Sequence, residues 1–159
     1  MVMQASAVEC RLQQFVANAE ALGVAMDFLS RDKPFSEFRV GVLVPVVKEQ
    51  LLRQWHVCAL RGNILVGYCG WVQITTEMGE LWVKGQGQLK PVPADRADAR
   101  ALTIVRVEEA SMVRPLLRAA RQLNPGKRVF IRRDYNGVQR TAKQTSVLNF
   151  STLQASPGN

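Results

Sequence analysis

The stretch WHVCALRGNILVGYCGW, Trp55 to Trp71, reads as two strands joined by a tight turn. Its β-branched, aromatic and aliphatic side chains suit a pleated, packed surface. At its centre, Arg61-Gly62-Asn63 offers glycine and asparagine, which tolerate the positive φ angles of a short hairpin turn. With Gly62 and Asn63 at the turn, Arg61 faces Ile64. Counting outward then sets His56 across from Cys69, with Cys58 two residues along on the same face.

Downstream, Leu81 to Val83 predicts a third strand, and the Gly85-Gln86-Gly87 and Pro91-Val92-Pro93 segments then break regular structure. Ala101 to Val107 predicts a strand through Leu102, Ile104, Val105 and Val107. Ser111 opens a helix whose buried stripe is Met112, Leu116, Leu117 and Leu123, and Asn124-Pro125-Gly126 ends it. Arg128 to Arg132 is a further short strand, and Tyr135-Asn136-Gly137-Val138 signals a tight turn into an edge strand. Upstream, Ser6 and Glu9 have capping-box spacing, and Val8, Leu12, Phe15, Val16, Ala19 and Leu22 follow at helical intervals. These predict a helix over 6–22 stopped by Gly23. Ser30 to Ser36, with Asp32 and Pro34, reads as a surface loop, and an amphipathic helix is expected to begin at Pro45. Helices followed by strands predict an α+β fold, a mainly antiparallel sheet with flanking helices. It forms one domain over 1–150, and 151–159 is a disordered tail.

A chain of 159 residues with 47% hydrophobic content can close one core. It has no apolar run of about twenty residues for a membrane span and no signal-peptide pattern, so a cytoplasmic location is expected. Cys10, Cys58 and Cys69 are odd in number and form no CxxC pair, which fits free thiols in a reducing compartment. A single histidine and the lack of clustered ligands predict no metal. GxGxxG, Walker and GxSxG signatures are missing, and no cofactor is expected.

Three sets of side chains could carry chemistry. His56 within reach of Cys69 or Cys58 could activate a thiol, although cysteine and histidine on a strand are more often packed core residues. Glu77 and Glu80 could act as paired carboxylates, whereas Glu108 and Glu109 suit the positive end of a helix dipole. The net charge of +8 lies largely in the last third. There Arg114, Arg118 and Arg121 fall at i, i+4 and i+7 on one helix face, followed by Lys127, Arg128, Arg132, Arg133 and Arg140. No acidic residue lies between Ala110 and Arg133. Such a face suits an acidic protein partner or nucleic acid, though only Phe130 and Tyr135 are near enough to stack on bases.

Several motifs follow one another in a known order: VLVPVV around Pro45, VGYCGW at Val66 to Trp71, Thr75-Thr76-Glu77, the strand TIVRV, the basic helix ending at Arg121 and Pro125, and RVFIRRD. From the Pro45 region to Arg140 the chain thereby resembles the toxin-activating lysine acyltransferases that modify RTX toxins, a divergent branch of the N-acetyltransferase-like (GNAT-like) fold. The resemblance implies transfer of a fatty acyl group from acyl carrier protein to an internal lysine of a protein target, using a histidine and an aspartate. Neither is kept. Pro34, Phe35, Ser36 and Glu37 stand where the histidine belongs, and Ile104, Val105 and Arg106 where the aspartate does. Two readings follow: a divergent enzyme working through His56 or Glu77, or a degenerate relative that binds a protein partner. The second is preferred. Acyl carrier proteins are acidic and would suit the arginine face.

Overall fold

The hairpin is the centre of the sheet. The computed structural model describes residues 9–132. In it, β1 (Cys10–Gln13), β2 (His56–Arg61), β3 (Ile64–Ile74), β4 (Ala99–Val107) and β5 (Arg128–Ile131) pair in that order. The first three pairings are antiparallel and β4–β5 is parallel. The parallel step requires a crossover, which α4 (Val113–Gln122) supplies. Helices α1 (Ala19–Leu29) and α2 (Val40–Leu52) cover one face, where Ala25, Phe28, Leu43 and Val47 pack with Cys58, Leu60, Tyr68 and Ile104. α4 covers the other through Leu116, Ala119 and Ala120 against Val57, Cys69, Trp71 and Val105. Burying a side chain such as Leu116 contributes about 1.5–3 kcal/mol. The α+β class and the mainly antiparallel sheet agree with the sequence reading. No helix among the described residues is long and apolar enough to cross a membrane.

Three expected elements differ. The helix expected over 6–22 is replaced by β1, a loop and a later helix. Asn18 accepts a hydrogen bond from the Ala21 N–H at 2.7 Å and so starts α1, while residues 10–13 complete the open edge of β2. Gly23, expected as a stop, lies inside α1; Ser6 lies outside the described residues. Pro45 does not open α2 but sits within it. The stripe Leu43, Val47, Gln50 and Leu51 buries enough surface to override one missing N–H. The strand expected at Leu81 to Val83 is part of α3 (Thr76–Val83). The Thr75 hydroxyl caps this helix by accepting from the Met78 N–H at 3.2 Å, and the Asp98 carboxylate accepts from the Thr76 N–H at 2.7 Å. Trp82 is then buried, and Gly79 leaves room for the Phe130 ring. The turn expected at Tyr135 to Val138 and the tail at 151–159 lie outside the described residues.

Two bulges set the register around VGYCGW. Arg61 faces Ile64 as expected, but the register shifts beyond Leu60↔Leu65, leaving Val66 as an extra residue of β3. His56 consequently faces Gly70, and Cys58 faces Tyr68. In β4 the extra residue is Thr103, between Gly70↔Ile104 and Trp71↔Leu102. The motif's glycines admit neighbours. A Cβ on Gly70 would lie 2.0 Å from Gln50 Oε1, and one on Gly67 would lie 3.1 Å from the Ala59 Cβ. The substitution Gly70→Ala should therefore displace the Gln50 amide and cost about 2–4 kcal/mol in urea denaturation. Gly23→Ala, in a helix interior with open space around it, should instead add about 0.5–1 kcal/mol. Equal effects at the two sites would contradict this account of the motif.

Candidate functional site

Beyond its bulge, β4 runs beneath the end of α1. Ile104 packs toward α1 and α2, whereas Val105 and Val107 pack in the core under α4. Arg106 faces the α1 side and is only 2% exposed. Its guanidinium carbon lies 4.1 Å from the centroid of the Phe28 ring. Nη2 donates to the carboxylate of Asp32, and Nη1 donates to Glu108 Oε1 at 3.2 Å. Arg31 extends the cluster, with Nη1 3.8 Å from Glu108 and Nη2 bonded to Asp27 one turn earlier. Asp32 and Glu108 remain partly in solvent, so the arginine is the member that has lost its water. Its Nε is buried without a partner among the described residues. A buried cation is tolerated only where carboxylates and an aromatic face replace its hydration. The cluster joins the loop after α1 to the end of β4.

His56 lies on the same sheet face, fully buried. Its Nε2 accepts from the Phe15 backbone N–H at 2.8 Å, which leaves Nδ1 to carry the hydrogen and donate to the Gln50 carbonyl at 3.1 Å. Burial lowers the pKa of the imidazole, and the bond to Gln50 offsets this in part. The ring stacks on Tyr68, with centroids 6.0 Å apart. Both nitrogens are engaged, so neither is open to take a proton from a reactant. The Gln50 side chain continues the network: Oε1 accepts from the Tyr68 hydroxyl at 2.9 Å, and Nε2 donates to Thr103 Oγ1 at 3.0 Å. Gln54, at positive φ just after α2, donates to the carbonyls of Phe15 and Leu51. Gln14 donates to the carbonyls of Gln54 and His56. The segment between β1 and α1 is thus stitched to the α2–β2 connection.

The expected pairing of His56 with Cys69 does not occur. The bulge at Val66 moves Cys69 opposite Val57, onto the α4 face, while His56 points to the other. Cys58 shares the face of His56, but burial raises the pKa of both thiols far above the ordinary range and keeps them protonated. Glu77 is exposed in the first turn of α3, and Glu80 pairs with Arg128 at 2.8 Å. Glu108 and Glu109 were expected to serve a helix dipole. They instead pair with Arg106 and with Arg61, the latter at 2.7 Å. Arg114, Arg118 and Arg121 are all exposed on α4. Arg128 is held by Glu80, Lys127 donates to the Ala97 carbonyl at 3.0 Å, and Arg132 is half-buried near Gly85. Arg133 and Arg140 lie outside the described residues.

No protein-family model and no curated protein matches the chain. Among solved structures it is similar to "a possible acetyltransferase from Clostridium difficile 630", with 12% identity, a TM-score of 0.50, and a match covering 94% of this chain and 92% of that one. The chain has an acetyltransferase-like fold. This is the architecture that the order of its motifs implied. Within it, the sequence reading missed Gln50, Asp32 and the buried state of Arg106. Signals for two of them were present: a glutamine on the apolar stripe of α2, and a lone arginine inside the apolar run TIVRV.

Two measurements follow from this geometry. The unfolded chain protonates His56 through about pH 6.5, whereas the folded chain resists to lower pH. This contribution to stability is therefore complete above about pH 6.5 and is lost as pH falls below it. Urea midpoints of wild type should fall between about pH 7.5 and 5.5 with a component missing from His56→Gln; an unchanged pH slope in the variant would assign that component elsewhere. The Arg106 cluster should be asymmetric. Asp32→Ala strands part of a buried guanidinium and should cost about 1–3 kcal/mol, whereas Arg106→Met leaves only solvated carboxylates and should stay within about 1 kcal/mol of wild type. The reverse order would mean that Arg106 is not the desolvated partner.

Proposed function

We propose that this chain is a toxin-acyltransferase-like domain that binds a protein partner and does not itself transfer acyl groups. One observation carries the reading: the stretch of β4 that stands in for the family's aspartate presents Arg106, a buried cation tied to Asp32 and Glu108. Attack of a lysine amine on a thioester needs a group that takes a proton from the nitrogen, or a nucleophile that carries the acyl group. A guanidinium does neither. Ile104 and Val105 beside it are fully buried apolar residues.

The remaining candidates lend little to an acyl-transfer route. His56 has both nitrogens in hydrogen bonds to the backbone, the two core thiols are held protonated, and Glu77 is exposed with no ion pair among the described residues. The acetyltransferase-like fold survives around them, and a fold can outlast its chemistry because the sheet's stability does not depend on the reacting groups.

Incubation with acyl carrier protein carrying a fatty acyl thioester tests the reading. Intact-mass measurement should find the thioester consumed no faster than in buffer and no acyl adduct on the chain or on an added lysine-containing protein. Acyl transfer that exceeds the buffer rate would overturn the proposal. His56→Ala and Glu77→Gln would then identify which of the two residues supports it.

A further inference from the structure

We propose that α4 docks an acidic amphipathic helix of a partner protein through Arg114, Arg118 and Arg121. The proposal rests on the partner-binding reading above and names the chemistry of that partner. At about 100° per residue, the core-facing Met112, Leu116, Ala119 and Ala120 define one side of the helix, and the three arginines fall on the side directly opposite. All three are exposed, and none forms an ion pair among the described residues.

A crest of this kind works against the helix that bears it. Arg114 and Arg118 stand at i, i+4, and Arg118 and Arg121 at i, i+3, where like charges repel. Arg114 also lies in the first turn, at the positive end of the helix dipole. α4 has no acidic residue to offset either effect, and none occurs from Ala110 to Arg133. Several exposed cations elsewhere are matched locally, as Arg31 is with Asp27, Lys33 with Glu37, Arg61 with Glu109 and Arg128 with Glu80, and those without an ion pair among the described residues, such as Arg39, Lys48, Lys84, Lys90 and Arg96, are scattered. Among the described residues, α4 alone sets three such cations along one helix face.

The spacing favours a helical ligand. Arg114 to Arg121 spans about 10 Å along the axis, and carboxylates at i, i+4 and i+7 on a facing helix repeat over the same rise. Charge complementarity along two parallel crests then fixes orientation and register. Nucleic acid fits less well. α4 carries no aromatic side chain on which a base could stack, and the cations beyond it, Lys127 and Arg128, are already engaged by Ala97 and Glu80.

A synthetic helical peptide of about 20 residues with glutamates at i, i+4 and i+7 is a sufficient probe, since shorter peptides hold little helix in water. Isothermal calorimetry at low salt should detect binding to wild type. Arg114→Glu/Arg118→Glu/Arg121→Glu should weaken it at least about tenfold, whereas Lys84→Glu/Lys90→Glu/Arg96→Glu, with the same change in net charge on an exposed loop, should leave it within about twofold. The α4 variant should in turn bind the same peptide carrying lysine at the glutamate positions, which also shows that it has folded. Absence of binding by wild type, equal weakening by both triple variants, or failure of the lysine peptide to bind the α4 variant would overturn the proposal. So would tighter binding of a short DNA duplex that the α4 variant abolishes, which would assign the crest to nucleic acid. Acyl transfer by wild type with these binding results intact would remove the non-catalytic reading and leave the docking surface standing.

Discussion

The side chain of Gln50 occupies the space that Gly70 leaves by having no Cβ, and four elements meet there. Its amide bridges the Tyr68 hydroxyl on β3 and the Thr103 hydroxyl at the bulge of β4, while its backbone carbonyl accepts from Trp55 N–H and from His56 Nδ1 on the way into β2. A buried amide is costly unless its hydrogen-bonding capacity is used. Once it is satisfied in this way, α2 can sit on the sheet at one rotation and one height only. The bulge at Thr103 turns a hydroxyl toward the helix, and the glycine at position 70 admits the amide. The conformation of β4 beyond the bulge, with Arg106 beneath α1, follows from the same junction.

Much of this was legible in the sequence, and the failures share a physical origin. The hairpin, β4, α4 and β5 could be read because their signals are local: turn residues at Gly62 and Asn63, the apolar run TIVRV, and a stripe through Met112 and Leu116 closed by Asn124-Pro125-Gly126, although Leu123, expected in that stripe, is exposed. β1 could not, because residues 10–13 form a strand only by completing the edge of β2, and their apolar spacing suits a helix just as well. α3 was obscured by reading Leu81 to Val83 without the cap at Thr75, a signal that was available. The register error came from one residue, Val66. A bulge has no sequence signature of its own, yet it exchanges the two faces of everything beyond it, and it separated His56 from Cys69.

The site was less legible than the fold because it depends on which polar groups lose water. Arg106 in an apolar strand could be noticed in the sequence, but its partners are Asp32, far away in the chain, and Glu108, which sequence logic assigned to a helix terminus. His56 posed the opposite difficulty. As the chain's lone histidine it invites a catalytic role, and only the position of the Phe15 N–H shows that its basic nitrogen is already in use. Titratable residues attract functional readings in proportion to their rarity, whereas their availability is decided by backbone groups that no motif records.

These two polar centres differ in what they demand of the rest of the molecule. The Gln50–His56 junction is neutral and closed, with each principal donor and acceptor matched by the backbone or by a hydroxyl, so it specifies geometry without leaving a reactive group. The Arg106 cluster is charged and open on one side, because Asp32 and Glu108 reach solvent while the guanidinium does not. A catalytic centre in this region would need a base with a free lone pair and room for an amine beside it. Phe28 instead covers the guanidinium, and Asp32 and Glu108 hold its outward nitrogens. This face of β4 therefore serves to fasten the end of α1 to the sheet. On the opposite side of the sheet α4 does the reverse, burying Leu116, Ala119 and Ala120 while Arg114, Arg118 and Arg121 stay in solvent.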